Sequence, residues 1–401
     1  MIIFASMVYR DIFSSLQEHL LSPPVTVITG MRRTGKSTAL KWLLAQVKHT
    51  NKIYLDCERI EVRNQFNQAD YEAIVEWLTL KGLDFLRPCV IALDEIQLVE
   101  NLPSLIKYIY DTYRVKFVVT GSSSYYMKNR FSESLAGRKR IFELYPLSFK
   151  EFLHFKGAGI KSPEKYRWQK FNNAWYVRCK AWYEEYVHYG GFPEVALQSK
   201  IKDKKEYLRD IIDSYIELDV KLISDYSASD NLYKLAKLLA ARAGNKVDYS
   251  KLGSVAGINR LKLKEYIDLF DYTYFIYLVR PFSKNIDKEI SQQPKLYFSD
   301  TGILNELAGS QISSGQLFEN AIAAQLKPQG PLNYYQKKTG QEIDFILDEK
   351  MAIEVKETAL EQDGSILNQR SKAIGLKNPS LITRHINKTK FRNLVWGGNV
   401  F

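Results

Sequence analysis

Apolar residues occur along this chain in three distinct rhythms. Val25 to Thr29 and Val90 to Leu93 are short unbroken runs, the pattern of strands covered on both faces of a parallel sheet. NLYKLAKLLAARAG repeats apolar positions three and four apart and stops at Gly244, which predicts a helix. GQEIDFILDEKMAIEVKET, residues 340 to 358, alternates instead and reads as two short strands around a turn. With Asp348-Glu349-Lys350 as that turn, Ile343, Phe345, Leu347, Met351, Ile353 and Val355 share one face. Asp344 and Glu354 then stand directly opposite each other on the other face, with Lys356 two residues further along. Opposed carboxylates repel, so the hairpin raises the question of what makes that pairing tolerable.

Length and composition narrow the classes. A chain of 401 residues predicts two to three domains, and 45% apolar with 25% charged residues is an ordinary globular balance. No apolar run approaches the ~20 residues that span a bilayer. The opening MIIFASMVYRDIFSSL has no basic region ahead of its apolar stretch, which argues against a secretory signal. Cys57, Cys89 and Cys179 lack metal-type spacing and are odd in number, so they read as reduced thiols of a cytoplasmic protein. A net charge of +12 and a pI near 9.2 favour an acidic partner such as nucleic acid.

The apolar run at Val25 leads into Gly30-x-x-x-x-Gly35-Lys36-Ser37 and then an amphipathic helix, a Walker A loop in strand–loop–helix context. Its glycines let backbone N–H groups face phosphate, aided by the positive end of the helix. Gly30, Arg33, Thr34, Gly35, Lys36, Ser37 and Thr38 are the candidate ATP contacts. Lys36 is expected at the β- and γ-phosphates and Ser37 on Mg²⁺. The run Val90 to Leu93 ends in Asp94-Glu95, with Asp94 expected on the same metal ion and Glu95 on the attacking water. VKFVVTGSSS ends in the hydroxyls of Thr120, Ser122 and Ser123, any of which suits a γ-phosphate sensor, although a plain polar turn reads the same way. These strands predict a doubly wound parallel sheet with its ligand at the carboxyl ends.

DYSKLGSVAGINRLKLKEYIDLFDYTYFIYLVRPF follows the order short helix, turn, longer helix and a β-rich wing from Thr273, that of a winged helix-turn-helix. Asn259, Arg260, Lys262 and Lys264 would then open a recognition helix facing DNA phosphates or bases.

GMRRTGKST, LDEIQ, VVTGSSS, LAGRKRIFELYPLSFKEF, YGGFPEV, YIELDV, YFSDTG and GQEIDF…IEVK occur in this order. Together they resemble archaeal and bacterial AAA-type ATPases close to the STAND-like branch of P-loop ATPases, over nearly the whole chain. The resemblance implies an α/β fold class. Its parts are a P-loop ATPase core over 1–150, a helical lid over 151–206, a winged helix-turn-helix over 207–285 and a restriction-endonuclease-like α/β domain of PD-(D/E)xK type over 286–401. It also implies that Gly191 and Pro193 start the lid near the nucleotide, and that Arg138 stabilises charge on the transferred phosphoryl group, within one chain or between subunits.

In that light the opposed carboxylates become ligands. A divalent cation, Mg²⁺ or Mn²⁺, between Asp344 and Glu354 turns repulsion into coordination, with Glu319 on a preceding helix as a further ligand and Lys356 acting on water or developing charge. The alternative is a solvated hairpin in which Lys356 simply pairs with Glu354 or Asp344. Two functions follow from these readings. One is an ATP-driven enzyme acting on DNA, with a tail that cuts or grips it. The other is a STAND-like ATPase whose nucleotide state governs assembly with protein partners or copies of itself, the tail being structural.

Overall fold

The computed structural model describes residues 8–122, 135, 137–160, 163–220, 229–283, 292–337, 339–385 and 391–401, with the backbone alone at 218–220 and 229–231. The chain forms two compact units, Met1–Tyr145 with Tyr272–Tyr274, and Pro146–Asp271 with Phe275–Phe401.

In the first unit five parallel strands make one sheet: β1 (Val25–Thr29), β2 (Lys52–Asp56), β3 (Cys89–Asp94), β4 (Val115–Gly121) and β5 (Lys139–Glu143), in the order β2-β3-β4-β1-β5. Every residue of β1 and of β3 is buried, as their unbroken apolar runs require. Alternate side chains feed two cores. Val25, Val27, Leu93 and Val119 pack with α3 (Ile60–Phe66), α4 (Tyr71–Leu80) and α5 (Leu102–Thr112). Ile28, Ala92 and Val118 pack instead with Phe13 and Leu16 of α1 (Ile12–Leu20) and with Ala39, Leu40 and Leu43 of α2 (Lys36–Ala45). Each fully buried aliphatic side chain contributes about 1.5–3 kcal/mol, so both layers hold the sheet rigidly beneath the loops at its carboxyl edge.

The second unit is built on a seven-stranded sheet: β6 (Ile276–Pro281), β7 (Lys295–Phe298), β8 (Leu332–Gln336), β9 (Glu342–Leu347), β10 (Met351–Lys356), β11 (Ser380–Thr383) and β12 (Leu394–Trp396), in the order β12-β11-β10-β9-β8-β6-β7. The hairpin β9–β10 has the register read from its alternation, Met351 opposite Leu347 and Ile353 opposite Phe345. Its charged face is not simply solvated, because Ile346 and Ala352 on that face are fully buried. Helices Ser314–Leu326 and Glu361–Ala373 both pack on β10.

The two compact units meet in the chain at Tyr145–Pro146, and residue 285, one of the expected domain limits, lies outside the described residues. Residue 150 lies inside helix Phe149–Phe155 and residue 206 inside helix Ile201–Ser214. β6, expected as part of a separate wing, pairs antiparallel with β7 and parallel with β8 of the tail. Strand pairing between distant segments leaves no mark on local composition, and this chain has no low-complexity linker to advertise a boundary. Cys57, Cys89 and Cys179 are free and buried.

Candidate active site

The loop joining β1 to α2 is shaped by its glycines. Gly30 has φ 150°, and a Cβ there would lie 2.2 Å from the carbonyl oxygen of Leu144. Gly35 caps α2 with φ 98°, in the left-handed region that side chains avoid. Arg33 shares that conformation, with φ 64°. Thr34 is buried and its hydroxyl donates to the Met31 carbonyl at 2.8 Å. Lys36, only 4% exposed, donates from Nζ to the same carbonyl at 3.0 Å. Ser37 is half-buried and Thr38 exposed in the first turn of α2.

Two further strands deliver the acids. Asp94 ends β3 and accepts hydrogen bonds from the Tyr54 hydroxyl at 2.8 Å and from Thr120. Glu95 follows with φ 52°, a strained left-handed turn. That carboxylate accepts from Ser122 at 2.9 Å and from Gln97, and the Glu95 amide donates to the Thr120 hydroxyl at 3.1 Å. Burial pushes the Glu95 carboxyl up, but the Lys36 charge, the Gln97 bond, the Arg32 charge and the Ser122 bond together hold it below its ordinary value. It is therefore ionised at neutral pH and oriented by two donors. Thr120 and Ser122 thus brace Asp94 and Glu95, whereas Ser123 lies outside the described residues. A backbone cradle, a buried ammonium and an adjacent acid pair form a donor set that fits a nucleoside triphosphate with its divalent ion.

Local patterns do not single out Tyr54 and Gln97, nor Arg10. Arg10 is 6% exposed and donates to the carbonyls of Thr34 at 3.0 Å and Tyr145 at 2.8 Å. Arg138 stands apart from the loop. It immediately precedes β5, whose first residue Lys139 pairs with Val25 at the start of β1, so it sits at the edge of the sheet opposite the Walker A loop. Its guanidinium pairs there with Asp111 at 3.1 Å. Gly191 and Pro193 belong to the second unit. The Gly191 amide donates to Asp300 at 2.7 Å, its carbonyl accepts from Leu147 at 2.7 Å, and Pro193 opens helix Pro193–Leu197.

The second unit gathers its own charged cluster. Asp344 accepts from the Val355 amide at 2.8 Å, which sets its carboxylate at the level of Glu354. One oxygen of Glu354 accepts from Lys356 at 2.8 Å and lies 3.9 Å from Arg370, while the other is buried without a hydrogen-bond partner. Glu319, on helix Ser314–Leu326, accepts from Tyr297 at 2.6 Å. Lys295 is buried between Glu319, at 3.9 Å, and Glu342. Burial first, and then the Asp344 charge, pushes the carboxyls of Glu319 and Glu354 upward. Asp344 is raised by burial despite Lys295 and Lys356. Among the described residues no three Asp, Glu, His or Cys side chains converge tightly enough to hold an ion as they stand. Lys295, Tyr297 and Arg370 are far from the hairpin motif and only folding reveals them, whereas Glu342 lies within it, two residues before Asp344.

Helix Tyr249–Ala256 ends at Gly257, φ 68°, and a Cβ on Gly253 would lie 2.6 Å from the Ile258 carbonyl, so the turn to helix Arg260–Tyr272 is tight. Asn259 accepts from the Lys262 amide at 2.9 Å. Arg260 and Lys264 are exposed, and Lys262 pairs with Glu265 at 3.0 Å. Lys246, ahead of these helices, bridges antiparallel to Lys295 of β7.

Comparison with known proteins agrees with the first unit. Residues 22–153 match the model of an AAA domain, and residues 180–314 and 314–396 match two domains of unknown function, DUF8612 and DUF4143. The chain is 27% identical over 94% of its length to an uncharacterized protein of Methanocaldococcus jannaschii, covering 84% of it. It is 25% identical to one of Haemophilus influenzae, covering 84% of this chain and 85% of the relative. A Walker-type ATPase of Pyrococcus abyssi superposes with a TM-score of 0.50 at 16% identity, over 75% of this chain and 96% of that one. Among the described residues no helix is long and apolar enough to cross a membrane. Sheet, loop and acid pair agree with the match of residues 22–153 to an AAA domain, so the N-terminal unit has a P-loop fold of AAA type.

Proposed function

We propose that the first unit hydrolyses ATP with Mg²⁺ and that the second acts on DNA. In this reading Lys36 contacts the β- and γ-phosphates, with Gly30, Arg33, Thr34, Gly35 and Thr38 around them. Ser37 and Asp94 hold the magnesium ion, and Glu95 orients and deprotonates the attacking water. Ser122 keeps Glu95 aimed. A bound ion would supply charge neutralisation at the phosphates, while this chain positions the groups and Glu95 takes the proton.

For the second unit the reading is a winged helix-turn-helix beside a PD-(D/E)xK-like site that takes Mg²⁺ or Mn²⁺ through Asp344, Glu354 and Glu319, with Lys356 acting on water. The observation that carries it is the Asp344 carboxylate held on the Val355 amide, close enough for its charge to act on Glu354, with Lys356 on Glu354 and one Glu354 oxygen buried and unpartnered. A buried lone pair without a donor costs free energy that a cation relieves. The tight turn at Gly257 and the exposed Arg260 and Lys264 favour the DNA-binding module.

A second reading keeps the tail as scaffold beneath a STAND-like assembly ATPase. The observation favouring it is Lys295, which already supplies a positive charge among Glu319, Glu342 and Asp344. Calorimetric titration of Mn²⁺ into a Lys36→Ala chain, alongside cleavage of single-stranded, duplex and branched DNA, separates the two. Binding heat that disappears in Asp344→Asn supports the metal site. An identical titration in both chains removes it and leaves the scaffold.

A further inference from the structure

Both ends of the phosphate-binding loop are fastened to one short stretch, Leu144–Tyr145. At the loop's start, the Leu144 amide donates to the Thr29 carbonyl at 2.7 Å, and Gly30 lies so close to the Leu144 carbonyl that a Cβ would sit 2.2 Å from it. At the loop's end, the Arg10 guanidinium joins the Thr34 carbonyl, at 3.0 Å, to the Tyr145 carbonyl, at 2.8 Å. Tyr145 is also the last residue before the chain leaves this unit at Pro146. Residue 10 lies upstream of the matched AAA segment, which begins at residue 22.

We infer that Arg10 is a positioning residue that makes the Walker A loop and the unit's exit segment move as one piece, so that nucleotide occupancy is transmitted to Tyr145. The inference rests on ATP binding at the loop and adds a route by which that binding leaves the unit. A buried guanidinium can serve two carbonyls at once because its N–H groups form a planar fork; an ammonium on a single stem cannot span them in the same geometry. Lys36 and Thr34 both donate to the Met31 carbonyl. Phosphates that draw Lys36 toward themselves therefore release a bond inside the turn in which Thr34 also holds Met31 and Arg10 holds the Thr34 carbonyl. A displacement at Thr34 reaches Tyr145 through two charge-assisted hydrogen bonds and no flexible linker.

Hydrogen–deuterium exchange of the full chain, with and without ATP·Mg²⁺, tests this in wild type, Arg10→Met and Arg10→Lys. In wild type ATP is expected to slow exchange both in the loop peptide and in the peptide spanning residues 143–147. Arg10→Lys, which keeps the charge and most of the stem, should retain protection of the loop, bind ATP about tenfold more weakly, as loss of one charge-assisted hydrogen bond implies, and lose the ATP response at 143–147. Arg10→Met should behave alike; if it fails to fold, Arg10→Lys alone decides. An unchanged ATP response at 143–147 in Arg10→Lys overturns the coupling, as does a wild-type chain whose loop is protected by ATP while 143–147 is not. A wild-type chain whose loop shows no ATP response defeats the nucleotide reading itself and is distinguishable from both.

Discussion

Lys36 donates from Nζ to the carbonyl oxygen of Met31, 3.0 Å away, across the mouth of its own loop. The ammonium is thus held by a neutral acceptor in a buried place, an arrangement that anionic phosphate oxygens replace favourably. Lys36→Ala is expected to abolish tight ATP binding. Wild type should gain about 2.7 kcal/mol of stability when ATP·Mg²⁺ is a hundredfold above its dissociation constant, and the variant none. Thermal melts with and without nucleotide read the difference directly.

Glu95 accepts from Ser122 at 2.9 Å and is held ionised, so its replacement separates binding from hydrolysis. Glu95→Gln keeps Asp94 and the loop intact. It should bind ATP as wild type does and turn over at least a hundredfold more slowly, a loss typical of removing a general base. Ser122→Ala should slow turnover less and leave the ATP dissociation constant unchanged. Wild-type turnover in Glu95→Gln would assign the water to another group.

Arg138 is at the opposite edge of the sheet from the Walker A loop of its own unit, paired with Asp111 at 3.1 Å. If it stabilises a transferring phosphoryl group, it must do so in a neighbouring copy. Arg138→Ala should then be inactive alone and regain activity when mixed with Lys36→Ala chains, which supply an intact arginine to an intact loop. Mixtures that stay inactive remove Arg138 from the chemistry.

Lys295 and Asp344 have opposite expected effects on the tail. Lys295→Met leaves the part-buried Glu319 and Glu342 beside Asp344 without their nearest cation, a change that costs up to about 3 kcal/mol. Asp344→Asn keeps an oxygen for the Val355 amide and removes a charge from a crowded anionic site, so the metal-free chain should be as stable as wild type or more so. Urea unfolding midpoints of the two variants check the signs. Equal losses in both would mean the cluster is held by shape and not by charge balance.

Asp300 supplies a pH test outside that cluster. Burial raises its carboxyl to about 6, against the amides of Gly191, Ile303 and Gly302, which pull it down. A raised carboxyl keeps its proton in the folded chain at pH values where the unfolded chain has released it. Its contribution is therefore greatest at low pH and is lost as pH climbs from about 4 to about 6, a change on the order of 3 kcal/mol. Asp300→Asn should flatten the unfolding midpoint over that window relative to wild type. Parallel pH profiles in the two chains would show that Asp300 does not titrate there.

Arg260 and Lys264 are exposed at the start of helix Arg260–Tyr272, with Lys262 paired to Glu265. If they meet phosphates, replacing Arg260, Lys262 and Lys264 by alanine should weaken DNA binding and lower its salt slope by about 0.9 per lost contact. Affinities at several salt concentrations suffice. Identical slopes would take this helix out of any DNA interface.

The chain's own residues were enough to predict the β1 loop, the β3 acids and the β9–β10 register. Each of these is local: glycines that permit a tight phosphate turn, an apolar run ending in acids, and an alternation of period two. Tertiary structure decided the rest. Arg10, Tyr54 and Gln97 reach the loop and its acids from segments with no motif, because a hydrogen bond between distant residues leaves no periodic trace. The seven-stranded sheet joins β6 and β7 to a hairpin about 50 residues later, which no composition shift announces. Lys295 arrives beside Glu319 and Glu342 by that same pairing. The sequence placed opposed carboxylates on a hairpin; folding buried them and set a lysine among them, because burial makes unbalanced charge too costly to leave alone.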